Sequence, residues 1–577
     1  MDGPRFRALQ RLARAFDLSE AVVALVWLAI LLLVGIPLLT VLVATLRPGE
    51  RLPFDPGPWT LTNFAEAFGS SLALQLLRNT VLYAVATLAC ALPVAFVLAW
   101  VVERTDLRLR EAVSTLILIP LAIPPLLQAV GWALLLTPRN GLFNVWLRQA
   151  MGSRANTGPL NLYTFGGLVF VTVLSIIPSA FIMLSSMMRN ANAQLEEAAA
   201  SSGASAAQTL RRISLPLMLP AIVASLVYFG IVMIEFFELP LAIGQTAQFP
   251  VLSLQIFRYT QPQGGATPAY GTAAAFSLLG LVLGLVLLWG YRRATLASRK
   301  YAVVGGKGVA PRRLRLGWLK VPVWALVGGY LLLSVVLPLA GLVWASLLSV
   351  YQPPSIAALA KLTAANYQAV VTDSTIAGAV FNTVLMVVAA ATITMLLAAL
   401  VAWRVQRAPT KTTGLLDFVV FLPIVVPGIV IALAVLLVYI RTPLWGTIWI
   451  LVVGQLVRFL PFTTRQMNTA ILQINNELEE AGWASGASRL TTFRRVMLPL
   501  LAPALGNGWI WVAMHSVRDF TFPIMLATVG NAVVASTLWV LWQQGDYGHV
   551  SALAVVVVLA SMLLAHSARR VVTRATI

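Results

Sequence analysis

The sequence is poor in charge: only 10% of its 577 residues are Asp, Glu, Lys or Arg, where a soluble domain carries about 25%. It holds one cysteine, Cys90, and three histidines, His515, His549 and His566. A lone cysteine forms no internal disulfide, which excludes a secreted, disulfide-stapled scaffold. The histidines share no ligand spacing with one another or with Cys90, so no zinc or other metal site and no hydrolase site is supported. A P-loop is missing as well. Gly305-Gly306-Lys307-Gly308 lacks both the spaced upstream glycine and the following Ser or Thr. What the chain has is apolar length, with 59% hydrophobic residues and a mean hydropathy of +0.86. Such a chain aggregates in water and belongs in a bilayer.

A backbone in lipid must satisfy its own hydrogen bonds, so the apolar stretches are predicted to cross as helices. Twelve are predicted: 21–46, 79–102, 114–137, 163–187, 217–240, 271–291, 321–348, 379–403, 415–439, 445–464, 500–524 and 549–568. The first is too long for a signal-peptide core and reads as a retained anchor. With the N-terminus inside, alternate connecting segments hold 29 Lys and Arg, beginning with Arg5, Arg7, Arg11 and Arg14, against 9 in the others. Basic residues accumulate on the cytoplasmic side, so both termini are expected there. This placement accounts for the net charge of +20 without a nucleic-acid partner.

The chain repeats itself. Asn79-Thr80, Trp100, Pro120 and Pro124 recur 303 residues later as Asn382-Thr383, Trp403, Pro423 and Pro427. Glu197, Gly203, Leu215, Pro216 and Pro220 recur 283 residues later as Glu480, Gly486, Leu498, Pro499 and Pro503. The first half therefore carries about 20 extra residues around 138–160, on the outer side. Equal order and an even number of spans make these parallel repeats. The expected organisation is a first repeat over 1–291, a basic cytoplasmic linker over 292–320 and a second repeat over 321–577.

After the fourth span of each half comes an Ala-rich loop, EEAAASSGASAAQTLRRISLPLMLP (196–220) and EEAGWASGASRLTTFRRVMLPLLAP (479–503). Glu197-Ala198-Ala199 and Glu480-Ala481-Gly482 are expected to start helical turns whose small side chains let another backbone approach. Gly203 and Gly486 permit a sharp change of direction. Pro216 and Pro499 are expected to end the loop helix near the start of the next span, where proline is tolerated.

These loops resemble the E-A-A, then G, then L-P signature of type I ABC importer permeases, over nearly the whole chain. Glu238-Leu239-Pro240, Tyr270-Gly271 with its repeat Tyr547-Gly548, and YAVVGGKGVAPRR (301–313) resemble the fused two-repeat permeases of the iron(III) branch. The resemblance implies an all-α transmembrane fold of twelve helices in two six-helix repeats. It implies that Glu196, Glu197, Ala198, Ala199, Gly203, Glu479, Glu480, Ala481 and Gly486 belong to loops docking on a dimer of ATPase subunits. ATP and Mg²⁺ would sit on those subunits, and this chain would bind no cofactor and be no enzyme. A substrate-binding protein would deliver cargo from outside, and the location would be a bacterial inner membrane. Gly482-Trp483 departs from the motif in the second loop.

Charges inside a bilayer are costly and usually face a cavity or a partner. The fifth span carries Glu235 and Glu238, spaced i, i+3, and its repeat carries His515, Arg518 and Asp519, with His515 and Asp519 spaced i, i+4. Each pair is expected to share a helical face. Two readings stand: these residues line a central substrate path, or Glu235 and Arg518 form an interhelical ion pair that closes it. Carboxylates suit iron(III) as cargo. Polyamine, thiamine or organophosphonate cargo fits the same class, and an ion-driven secondary transporter is the alternative from another class.

Overall fold

The computed structural model describes residues 18–190, 194–262, 267–298 and 314–575; Arg5, Arg7, Arg11, Arg14 and the segment 301–313 with its Gly305–Gly308 run lie outside them. The described chain is built from helices. In the first half, α1 runs through Leu18–Ile30, a π-turn at Leu31–Gly35 and Ile36–Thr45. Then come α2 (Ser71–Arg104), α3 (Arg110–Leu118), α4 (Pro125–Leu136), α5 (Leu142–Ala150), α6 (Phe165–Asn190), α7 (Gln194–Ser201), α8 (Leu215–Glu235) and α9 (Tyr270–Ser298). The second half repeats the order without a counterpart of α5. It holds α10 (Lys320–Leu331, a π-turn at Leu332–Val336, then Leu337–Ser346), α11 (Ser374–Arg407), α12 (Lys411–Phe421) and α13 (Gly428–Tyr439). It closes with α14 (Ile448–Leu472), α15 (Glu477–Ala484), α16 (Leu498–Arg518) and α17 (Tyr547–Ala575).

Among the described residues ten helices are long and apolar enough to cross a membrane, or twelve crossings if each of two bent pairs counts as one. Those pairs correct the expectation of straight helices over 114–137 and 415–439. The first bends by 88° between Ala122 and Pro125, the second by 115° between Val425 and Gly428. A residue before proline is driven out of the helical region. Accordingly Ile123, Pro124 and Val426, each followed by proline or itself doubled with one, take extended ψ values of 117°, 139° and 125°.

Proline shapes the long helices differently. Four π-turns end two residues before a proline: Leu31–Gly35 before Pro37, Leu210–Ser214 before Pro216, Leu332–Val336 before Pro338 and Phe493–Met497 before Pro499. Proline has no N–H for the ladder, and its ring collides with the carbonyl four residues back; one residue of widening relieves the collision. The helix therefore continues through Pro216 and Pro499 instead of ending there as the sequence suggested.

Two carbonyls of these π-turns accept bonds from the other half. Tyr439 donates its hydroxyl to Leu32 O at 2.9 Å, and Gln128 donates its amide to Ser334 O at 3.0 Å. Each half's first helix thus leans on the opposite bent pair, α1 on α13 and α10 on α4. The α10–α4 contact is close: a Cβ on Gly131 would lie 2.7 Å from Pro338 O.

The end of the linker is strapped to the first half. Leu314 donates to Arg104 O and accepts from Asp106 N, both at 3.0 Å. Asp106 in turn accepts from Leu316 N at 2.9 Å and meets Lys320 at 3.3 Å. Partial burial opposes its charge, but the Leu316 N–H and the Lys320 ammonium hold its carboxyl below the ordinary value of 3.8.

Gly131→Val should cost about 1–3 kcal/mol through overpacking, read as a lower thermal midpoint in detergent, whereas Gly378→Val, whose Cβ would meet nothing within 4 Å, should shift it little. A carboxylate whose folded value is depressed stabilises above its unfolded value and loses that contribution as pH falls through the folded one. Protection factors for hydrogen exchange at Leu314 and Leu316, taken relative to the intrinsic rate at each pH, should therefore be high at neutral pH, decline as pH falls below about 3.8, and be low already at neutral pH in Asp106→Asn.

Candidate functional site

Each repeated loop is pinned by one buried carboxylate. In the first, Glu196 at the start of α7 lies against Arg104 Nε at 3.1 Å and accepts from Ser214 Oγ at 2.6 Å; Trp100 Nε1 reaches Ser214 Oγ at 3.3 Å. Arg104 also donates to Met188 O at 2.6 Å. In the second, Glu479 accepts from Arg407 Nε at 2.5 Å and from Trp403 Nε1 at 2.9 Å, while Arg407 donates to Ile474 O at 2.8 Å and to Asn476. Trp100/Trp403 and Arg104/Arg407 obey the 303-residue shift, and Glu196/Glu479 the 283-residue shift. The last turn of each second long helix thus holds the loop of its own half.

Two expectations for these loops find their geometry here. Gly203 and Gly486 both adopt φ +83°, a left-handed conformation that a side chain would strain. Ala198, Ala481 and Glu480 are exposed, as are Leu195 and Leu478 one residue before the buried anchors. Sequence reading weighted Glu197 and Glu480, the motif carboxylates, over the residues that fix the loops. Arg104 and Arg407 were missed, although their recurrence at the Trp100/Trp403 shift was the available signal.

The second cluster lies where the fifth helices stop. α8 ends at Glu235 and α16 at Arg518, so the predicted 217–240 and 500–524 are not continuous helices. Pro240 and Pro523 each stand four residues beyond the break, where their rings would strike the carbonyls of Phe236 and Asp519. Consequently Glu235 and Glu238 do not share a helical face, nor do His515 and Asp519. Glu235 forms an ion pair with Arg458 of α14 rather than with Arg518. That pair rests on the first turn of α13, where a Cβ on Gly428 would come within 2.8 Å of Glu235 Oε1. Glu238 turns to the other half-helix, facing the Leu126 backbone N–H in the first turn of α4, near Arg518 and Asp519.

Each carboxylate therefore meets the positive end of one bent-pair helix, a favourable placement for negative charge. Asp519 accepts from Gln455 Nε2 at 2.8 Å and from Phe522 N at 3.2 Å. Glu238 Oε2 and Arg518 Nε are buried without a hydrogen-bond partner. His515 makes no hydrogen bond to these groups: its Nδ1 bonds Trp511 O at 2.8 Å and its ring lies tilted against Trp511, 4.0 Å between centroids. Among the described residues no group of three or more His, Cys, Asp or Glu could hold a metal ion.

The family model for the binding-protein-dependent transport system inner membrane component matches the chain twice, over 91–295 and 396–576. A ferric transport system permease protein of Actinobacillus pleuropneumoniae is 24% identical over 78% of this chain, a match that spans 64% of that relative's length. An Fe(3+)-transport system permease protein of Haemophilus influenzae is 20% identical over 93% of this chain and 96% of its own. A 2-aminoethylphosphonate transport system permease protein of Salmonella paratyphi A, whose name carries the qualifier "putative", is 26% identical over 30% of this chain and 66% of its own.

Glu196→Gln leaves the buried Arg104 without its counter-charge, which costs about 3–5 kcal/mol, and Glu479→Gln does the same to the partly buried Arg407 at a somewhat smaller cost. Each should lower the thermal midpoint of the purified chain clearly, whereas Glu480→Gln, at an exposed position, should change stability by less than about 0.5 kcal/mol.

Proposed function

This chain belongs to the binding-protein-dependent transport system inner membrane component family, and we propose that it forms the membrane path of an ATP-driven importer. Two ATPase subunits dock on the loops 196–212 and 479–495 at the cytoplasmic face and carry the ATP and Mg²⁺. A substrate-binding protein delivers cargo on the opposite face, and both termini lie in the cytoplasm. The observation that carries this reading is the duplicated anchor. Arg104–Glu196 and Arg407–Glu479 fix two equivalent loops rigidly to the long helices α2 and α11, leaving leucines and small residues outward for a partner. A force on either loop is then passed to a transmembrane helix through a buried, charge-assisted contact rather than through a slack connection. ATP binding shifts the two halves only by its differential affinity for their arrangements.

The cargo we propose is iron(III), supported by the ferric permeases among the relatives. Organophosphonate is the second reading, supported by the 2-aminoethylphosphonate permease likeness. Glu235, Glu238, Arg518 and Asp519 line the path, with Arg458 closing it through Glu235; His515 supports the wall behind them.

Proteoliposomes containing this chain, its ATPase subunits and its binding protein should take up iron(III) only with ATP. Uptake without the ATPase subunits would establish an ion-driven carrier instead, and uptake of 2-aminoethylphosphonate but not iron would exchange the cargo. Glu235→Gln and Arg518→Ala should each reduce coupled uptake at least several-fold; full uptake in both would remove these residues from the path.

A further inference from the structure

The repeated Asn-Thr pair, Asn79-Thr80 and Asn382-Thr383, takes no part in the loop anchors or the charged cluster. It grips a different segment. Asn79 donates its side-chain amide to Pro250 O at 2.9 Å, and Thr80 Oγ1 accepts from Leu252 N at 3.0 Å. In the second half Asn382 donates to Ala532 O at 2.9 Å, and Thr383 Oγ1 accepts from Val534 N at 2.8 Å. Leu252 and Val534 open two short helices, Leu252–Thr260 and Val534–Gln544. A helix start leaves its first N–H groups unpaired, and the preceding residues, Val251 and Val533, carry no side-chain oxygen to cap them. The cap comes from another helix instead. Its register is the same in both halves, asparagine to one residue and threonine to the residue two further on. That register holds although asparagine and partner are 171 positions apart in the first half and 150 in the second.

The clamped segments lead out of the breaks in the fifth helices. Each loop runs through its π-turn into α8 or α16, and those helices stop at Glu235 and Arg518. Glu238 and Asp519 lie past the stop, so no continuous helical ladder carries them. The short helices reach them from the other side. Ser253 Oγ donates to Phe236 O at 2.9 Å, and Phe257 lies against Phe237 at 5.1 Å between centroids. In the second half Trp539 lies edge-on to Phe520 at 6.0 Å. Phe237 and Phe520 stack on each other across the halves at 6.5 Å.

The helices that make the clamps are the ones that hold the loops. Thr80 and Arg104 both lie on α2, and Thr383 and Arg407 on α11, 24 positions apart in each case. At 1.5 Å per residue that separation is roughly 36 Å, more than the hydrocarbon thickness of about 30 Å. Each long helix therefore grips its own half's loop at one end and the segment leaving the broken helix at the other. A loop thereby reaches both sides of its break: Glu235 or Arg518 through α8 or α16, and Glu238 or Asp519 through α2 or α11. We propose that Asn79, Thr80, Asn382 and Thr383 are positioning residues for transport, which make the groups beyond each break follow the loop. This rests on the importer reading, in which those groups line the path and ATP binding moves the loops.

The test uses the complete complex in proteoliposomes, supplied with iron(III) or 2-aminoethylphosphonate, whichever the parent complex takes up. Thr80→Val/Thr383→Val keeps the side-chain shape and removes both hydroxyls, leaving two helix-start N–H groups without their acceptors. Cargo carried per ATP hydrolysed should fall roughly fivefold or more, the scale of one buried hydrogen bond lost in each half, while ATP hydrolysis persists. Thr80→Ser/Thr383→Ser, which retains the hydroxyls, should restore the parent ratio. Hydrogen exchange at Leu252 and Val534 should quicken in the valine variant, with exchange along α2 and α11 unchanged; no quickening there would refute the clamp itself. Should the double variant fail to fold, Thr80→Val and Thr383→Val singly carry the same comparison. A parent ratio in the valine variants, or uptake and hydrolysis falling in proportion, would overturn the role and leave a merely structural cap. An absence of ATP-dependent uptake by the parent complex would instead sink the importer reading, and this role with it.

Discussion

A peptide group that leaves the helical ladder inside an apolar slab has no water to turn to, and it must find a partner in the protein. The architecture depends on how this chain meets that demand wherever proline breaks its helices. At the π-turns of α1 and α10, carbonyls take donors from Tyr439 and Gln128 of the opposite half. At the bent pairs, the first turns of α4 and α13 lie against the carboxylates of Glu238 and Glu235. Each break thus creates a polar end, and the polar ends gather where the halves meet. The charged cluster is a product of the broken backbone rather than an addition to an otherwise finished bundle.

Duplication has preserved some parts and released others. Both loops are anchored by a Trp, an Arg and a Glu, with Trp100 acting through Ser214 and Trp403 directly on Glu479, because an arginine that lost its carboxylate there would carry an uncompensated charge. The strap from Leu314 and Leu316 to Arg104 and Asp106 ties the start of the second half to the connection between α2 and α3. Other helix faces are freer to diverge: α14 is polar where α6 carries Ile182 and Met183.

Much of the fold was legible in the sequence because hydrophobic length and repeated proline positions report directly on membrane helices. The bends within 114–137 and 415–439 were hidden by uniform hydropathy, although Pro124-Pro125 and Pro427 marked the places. The i, i+3 spacing of Glu235 and Glu238 misled because it presumes a helix, and Pro240 had already ended it. The partner of Glu235 was also beyond reach: Arg458 and Arg518 sit on neighbouring helices at similar depth, and only packing chooses between them. The loop anchors were within reach, since Arg104 and Arg407 recur beside the tryptophans.

The interlocking of first helices bears on how the molecule is made. Leu32 and the Tyr439 hydroxyl that satisfies it are 407 positions apart. At about 5–20 residues per second of synthesis, roughly 20–80 s separate their emergence from the ribosome. During that interval α1 waits in the bilayer with its carbonyl unmet and its packing surface open to lipid or to chaperones. Fusing both copies in one polypeptide keeps the missing partner tethered and on its way, turning a search between molecules into a delay within one.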